Sequence, residues 1–354
     1  MRGELSKRKL TGLLLKIFGF VILAVFLTAG IFYAIFFNEA NAFLSVKKIG
    51  AGLYQMSYKN DYYFDDFLEK GASSDEELKT FIMQKLLKGL PIDVQIPDIA
   101  CTTFTAITPS GDRTFSRNFD LEDTPIMILA TSPKNGYKSI STVNLSFLGY
   151  DYGYLPDALK DRFLTLAAPY LPLDGMNEKG VSIAVNMVNG ESANQSTAKK
   201  DITTTTLIRL VLDKAASAAD AVELIARYDL HDSVGGPYHF QIADKSGASV
   251  IIEYVANEMK TIYKDGSYLL TTNFLMSDDA QADDFGKDRY DAAKAVLDAS
   301  NGVLSVSGAM ALLSQVAMSW QGGGTQWSVV YNLDKKEAVY SFHRDYSKTK
   351  AFYL

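Results

Sequence analysis

Cysteine and histidine are nearly missing from this chain: 354 residues hold one of the first and three of the second. A lone cysteine forms no intramolecular disulfide and no zinc or redox pair. Three histidines are too few to favour a histidine-built metal centre, so no metal or organic cofactor is expected. An excess of positive charge is lacking as well. The net charge is −6, and residues 1–16 carry five basic side chains and one acidic, which leaves −10 for residues 17–354. An acidic body is a poor match for nucleic acid, and no nucleic-acid partner is expected. Internal repeats and low-complexity tracts are absent too. What remains is an apolar fraction of 47% and a charged fraction of 21%, ordinary for a globular protein, in a chain long enough to bury a sizeable core.

Charge is missing altogether from residues 17–37. A helix of that length, at about 1.5 Å per residue, crosses a hydrocarbon core of roughly 30 Å. Arg2, Lys7, Arg8, Lys9 and Lys16 precede it, so the positive-inside rule predicts a cytoplasmic tail at 1–16, a transmembrane helix at 17–37 and an extracytoplasmic body. The competing expectation is a secreted protein cut near Ala42, because Ala40-Asn41-Ala42 has the small-x-small pattern. The apolar run exceeds the usual signal core of roughly 7–15 residues, which favours the membrane anchor.

Residues 43–100 read as a separate segment. Ser74 and Glu77 form a capping box ahead of Leu78, Phe81, Ile82 and Leu86, and Gly89 and Pro91 stop that helix. The tyrosine-rich stretch 49–63 has strand character. This is either a linker with one helix or a prosegment packed beside the site that follows. From Cys101 onward strands and turns dominate, with helices expected near 203–229, 287–299 and 306–317, and a closing hairpin at 327–342. Asp174-Gly175-Met176-Asn177-Glu178-Lys179-Gly180 reads as a polar turn feeding the strand Val181 to Asn186. This order predicts an α+β fold of two stacked antiparallel sheets with helices outside.

The chemistry concentrates at Cys101. A hairpin around Pro109-Ser110-Gly111-Asp112 would set Cys101 beside Arg117 and Asp120, at the end of the return strand. Thiol hydrolases ordinarily pair cysteine with histidine, but His231 reads as part of a helix-ending turn, and His239 and His343 as strand residues with structural roles. A second route needs no histidine. Cutting the Ala100–Cys101 bond gives Cys101 an α-amine, whose reference pKa of about 7.7–8 suits a general base near neutral pH. Asp120 would orient that amine, and Arg117 would favour the thiolate. Against this stand a buried, inert thiol and an ordinary Arg117–Asp120 ion pair.

Together Cys101-Thr102, Arg117-Asn118-Phe119-Asp120 and Asp174 to Gly180 resemble the choloylglycine hydrolase, or linear amide C–N hydrolase, family of N-terminal nucleophile enzymes. That family includes bile salt hydrolases and penicillin V acylases, with acid ceramidase as a relative. The resemblance implies a four-layer αββα fold over 101–354 and hydrolysis of a small-molecule linear amide. It also implies Cys101 as nucleophile with Arg117 and Asp120 beside it, the backbone N–H of Asn186 and the side-chain amide of Asn273 as oxyanion donors, and Arg289 as a second arginine. Autoproteolysis before Cys101, with 43–100 retained as a small subunit, is what the ceramidase-like arrangement implies. Asn273 departs from the family's Thr-Asn-x-Pro, since Phe274-Leu275-Met276 follows it. An acyltransferase of the same superfamily, or a surface-anchored binding protein on this fold, are the alternatives.

Overall fold

The computed structural model describes residues 2–35, 37–92, 100–277 and 284–354. The expected hairpin forms from Ala100–Ile107 and Arg113–Glu122, with Cys101 opposite Phe119 and Thr103 opposite Arg117. Nearly every residue of both strands is buried. Successive side chains point to opposite faces of a strand, so this hairpin divides two cores instead of separating core from solvent. Phe115 and Phe119 belong to an inner core, and Phe104 and Ala106 to an outer one with Leu297, Leu312 and Leu313.

The hairpin lies in a seven-stranded sheet. Its main path runs Leu270–Thr271, Ala100–Ile107, Arg113–Glu122, Gly323–Asn332, Glu337–Phe342, Lys350–Tyr353, and Ser319–Trp320 pairs with Gly323–Asn332. A nine-stranded sheet faces it, in the order Lys47–Gly50, Leu53–Tyr58, Ile126–Thr131, Ser139–Asn144, Pro172–Asn177, Val181–Met187, Tyr238–Asp244, Ser249–Val255, Glu258–Tyr263. Helices Thr204–Lys214 and Ala218–Ile225 cover the outside of the nine-stranded sheet, and Lys287–Ala299 and Val306–Gln315 cover the seven-stranded one. Helix, sheet, sheet, helix: the four expected layers are present. Between the sheets Trp327 stacks flat on Phe119, ring centroids 4.0 Å apart.

The stretch upstream of Cys101 is more structured than a linker with one helix. Leu53–Tyr58 pairs parallel with Ile126–Thr131, so the larger sheet is not purely antiparallel as expected. Phe64–Lys70 and Asp75–Lys85 are both helical. Ser74 caps the second by accepting from Glu77 N–H, while the Glu77 carboxylate accepts from Ser73 N–H in place of Ser74. Tyr62, Phe64, Phe67, Phe81 and Tyr170 pack ring against ring, joining this stretch to the body. The first helix, Arg2–Ile35, starts earlier than the expected 17–37, and its Gly12–Ile31 stretch is long and apolar enough to cross a membrane, a test that a signal sequence would also pass.

Three local expectations change. Asp174 to Asn177 are buried strand residues, and only Glu178 to Gly180 turn. Gly175 is required there because a Cβ would come within 2.6 Å of Ile140 O on the neighbouring strand. His231 ends the strand Tyr228–His231, which pairs parallel with Lys200–Thr203, so it does not lie in a helix-ending turn. Residues 97–100 read in sequence as an irregular connector; 97–99 lie outside the described residues, as do 278–283, and Ala100 instead opens the first strand of the hairpin.

Candidate active site

The pleat of the hairpin sorts the chemical groups. Cys101 and Arg117 belong to the inner face, and their register makes them diagonal neighbours within reach of a long side chain. Arg117 Nη2 donates to Cys101 Sγ at 3.1 Å and to Val185 O at 2.6 Å, and Nη1 donates to Leu173 O. Asp174 Oδ2 lies 3.5 Å from the same guanidinium, with both side chains fully buried. That carboxylate also accepts from Thr142, Tyr331 and Trp327.

Asp120 belongs to the opposite face, toward the helices. Its Oδ1 accepts from Thr325 Oγ1, and its Oδ2 lies 3.8 Å from Arg289 Nη1 with no hydrogen bond among the described residues. A bulge between Thr325 and Trp327 sets Thr325 opposite Asp120 and Trp327 opposite Phe119, with one residue over. Arg289, on the first turn of Lys287–Ala299, donates to Cys101 O at 2.6 Å, to Thr102 Oγ1 at 3.0 Å and to Asn273 Oδ1 at 2.7 Å. Gly286 leaves it room, since a Cβ there would sit 2.6 Å from Arg289 Nη2.

Asn273 meets Cys101 through its backbone. Oδ1 accepts from Cys101 N–H at 3.0 Å, and Nδ2 donates to Met187 O at 2.7 Å. Asn186 lies one contact further out: its Oδ1 accepts from Thr103 Oγ1, and its Nδ2 donates to Thr271 Oγ1 and Thr272 O. The structure thus brings Cys101, Arg117, Asp120, Asn186, Asn273 and Arg289 into one buried network. No histidine is hydrogen-bonded to Cys101 among the described residues. Asp174, Thr325 and Thr103 join the network unannounced: Asp174 was hidden by its turn-like neighbours, and Thr325 gives no signal in sequence.

Burial controls the electrostatics. The Cys101 thiol, with no exposed surface, is pushed up to about 11 by desolvation, against the lowering effect of Arg117. Burial likewise pushes Asp120 up to about 6, opposed by Thr325 and by the Arg289 and Arg117 charges. In the uncut chain, at neutral pH, the thiol keeps its proton. An open cleft of about 580 Å³, walled by Phe285, Ala292, Val316 and Met318, reaches Arg289 from outside. Among the described residues no cluster of metal-ligating side chains occurs.

Residues 101–274 match the family model described as linear amide C–N hydrolases, choloylglycine hydrolase family. A mutant of the conjugated bile acid hydrolase from Clostridium perfringens superposes with a TM-score of 0.55 at 16% identity, over 72% of this chain and 92% of that one. A second variant of the same enzyme gives 0.54 at 16% identity, over 71% and 92%. At such identity these two structures establish the fold alone. No curated protein sequence matches the chain.

Proposed function

We propose, for a chain that belongs to the choloylglycine hydrolase family of linear amide C–N hydrolases, that Cys101 becomes an N-terminal nucleophile when the Ala100–Cys101 bond is cut. The observation that carries this reading is the double setting of one residue. The thiol of Cys101 faces Arg117, while its backbone N–H faces the acceptor Asn273 Oδ1. Ala100 pairs with Asp120, whose Oδ2 has no hydrogen bond among the described residues. Cutting there exchanges an amide N–H for an amine with more protons to give, next to a carboxylate oxygen that has spare capacity.

In the cutting step the Cys101 sulfur attacks the Ala100 carbonyl, the bond to Cys101 N breaks, and water hydrolyses the resulting thioester. The mature enzyme repeats this on a substrate amide. The thiol gives its proton to the Cys101 amine, and the thiolate, favoured by Arg117, forms a C–S bond to the carbonyl carbon. The oxyanion is met by Asn186 N–H and by Asn273 Nδ2, which has a second hydrogen besides the one given to Met187 O. As the C–N bond breaks, the Cys101 ammonium protonates the departing amine. Water, deprotonated by the same amine, then releases the acid and restores the thiol.

In this reading 43–100 stays bound after the cut as a small subunit. The parallel strand Leu53–Tyr58 and the bonds from Tyr62 OH to Asp213 and Tyr170 OH to Tyr62 O hold it without the covalent link. The Gly12–Ile31 helix then tethers the enzyme to a membrane, body outside. The test is the intact mass and N-terminal sequence of the full-length protein in detergent, beside Cys101→Ala. A chain starting at Cys101 in the wild type only, together with amide hydrolysis that the variant lacks, is the expected result. An uncut wild type that still hydrolyses amides would sink the proposal.

A further inference from the structure

Asn273 reaches Cys101 with its side chain, and the backbone around it is held by Asn186, which donates to Thr272 O, and by two residues outside the six named above. Thr272 O accepts from His239 Nε2 at 3.1 Å, and the N–H groups of Met276 and Ser277 donate to Glu253 Oε1 and Oε2 at 2.6 and 3.0 Å. His239 Nδ1 lies 3.1 Å from Glu253 Oε1. One buried pair therefore grips the segment 272–277 at both ends, with Asn273 between.

The hydrogen-bond inventory ties this pair to the backbone on both sides. A neutral imidazole has one donor and one acceptor nitrogen. Here one ring nitrogen faces a carbonyl, which only accepts, and the other faces a carboxylate already accepting two backbone N–H groups. Both ring nitrogens therefore face acceptors, and both side chains are without exposed surface. Burial pushes the Glu253 carboxyl up, but the bonds from His239, Met276 and Ser277 outweigh it and hold the group below its ordinary value. Buried polar groups are costly unless their donors and acceptors are matched. Here the matched groups are the backbone flanking Asn273, and no proline stiffens Phe274-Leu275-Met276-Ser277.

We infer that His239 and Glu253 are positioning residues for amide hydrolysis: a buried clamp that fixes the 272–277 backbone and so sets Asn273 against Cys101. The inference rests on the assignment of Asn273 to the reacting site. Neither residue touches Cys101, so the clamp acts only through the segment it holds.

The test uses the full-length protein in detergent, with hydrogen exchange over 272–277 and hydrolysis of fluorogenic coumarinyl amides bearing short and long acyl chains. In Glu253→Ala, exchange of the Met276 and Ser277 amides should quicken by at least about tenfold. A small misplacement of a site group costs about 100-fold, so kcat should fall by that order with KM little changed. His239→Gln keeps one donor and should lose less than His239→Ala, a graded rescue that also serves if Glu253→Ala fails to fold. With Asn273→Ala as background, Glu253→Ala should cost almost nothing further, since the side chain it positions is gone. Unchanged exchange and kcat in both single variants would overturn the clamp, and so would an equal loss in both backgrounds. A wild type inactive on every amide would instead count against the site assignment, and exchange would still decide the clamp.

Discussion

Asp174 is the residue whose loss should show most plainly how the buried network is held. Its Oδ1 accepts from Thr142 Oγ1 at 2.7 Å and Tyr331 OH at 2.6 Å, and its Oδ2 accepts from Trp327 Nε1 at 2.8 Å with Arg117 Nη1 3.5 Å away. The two substitutions Asp174→Asn and Asp174→Ala remove different parts of this. An amide can turn its oxygen to the indole and its NH2 to the hydroxyls, which rotate and already meet each other through Tyr340 OH. Only the charge opposite Arg117 is then lost. Breaking a buried pair costs about 3–5 kcal/mol, and because Arg117 keeps Leu173 O and Val185 O, the low end of that range is expected. Alanine also orphans the Trp327 N–H, for about 1–3 kcal/mol more. Against a typical stability of about 5–15 kcal/mol, alanine should bring the protein near its threshold and asparagine should not. Equilibrium urea unfolding reads this directly at Trp327, which is fully buried, in a Trp320→Phe background that removes the second tryptophan. If both variants lost under about 1 kcal/mol, a value ordinary for surface changes, the network would not be the support argued here.

Three further outcomes follow from particular contacts. In the uncut chain, kept so by Cys101→Ala, Asp120 titrates near 6 against an ordinary 3.8, so the folded state binds more protons between those values and stability falls as pH rises through them. The size is about 3 kcal/mol, and Asp120→Asn should remove that part of the slope while Asp232, raised to about 7, keeps its own; an unaltered slope in unfolding midpoints across that range would contradict the assignment. Phe67→Ala empties a fully buried ring position between Phe81 and Tyr170 at about 3–5 kcal/mol, and in chains cut before Cys101 it should let the upstream fragment separate on size exclusion where the wild type co-elutes. Gly175→Ala drives a methyl to 2.6 Å from Ile140 O and 2.9 Å from a Leu212 methyl, an overpacking worth about 1–3 kcal/mol, and an unchanged Tm would contradict the packing described.

What could be read from sequence depended on how far apart the partners lie. Cys101 and Arg117 meet across one tight hairpin, with Asp120 close by on its other face, so their closeness is a local consequence of strand and turn patterns. Asn186, Asn273 and Arg289 reach the same point from three separate elements, and nothing in alternation or spacing says that those elements converge. Only the resemblance to an amidase family picked them out. Asp174 was misread because aspartate and glycine ordinarily mark turns, whereas here a guanidinium and an indole give the carboxylate partners inside a sheet. For Leu53–Tyr58 the side-chain period identifies a strand, but a period names a face and not a neighbour, so the parallel pairing with Ile126–Thr131 could not be foreseen. The His239–Glu253 pair was passed over for a related reason. A histidine in a strand is unremarkable until both of its ring nitrogens are seen to face acceptors.

The same alternation that made the hairpin legible also separates the two halves of its chemistry. Cys101 Sγ and Arg117 occupy the inner face with Leu173 O, Val185 O and Asp174, a set tied to the nine-stranded sheet. Asp120, Thr325 and Arg289 occupy the helix side, and Asn273 meets Cys101 from the neighbouring strand end. A change at Cys101 N, from amide to amine, therefore alters charge on one side of the strand while the contacts of the thiol are made by groups on the other. Asp120, held up near 6 by burial and with one oxygen that has no hydrogen bond among the described residues, is the group whose state such a change would move most. A carboxyl that gains an adjacent ammonium loses its reason to stay protonated, and its pKa falls. On this geometry a cut before Cys101 would leave the thiol's surroundings in place and alter only the far side.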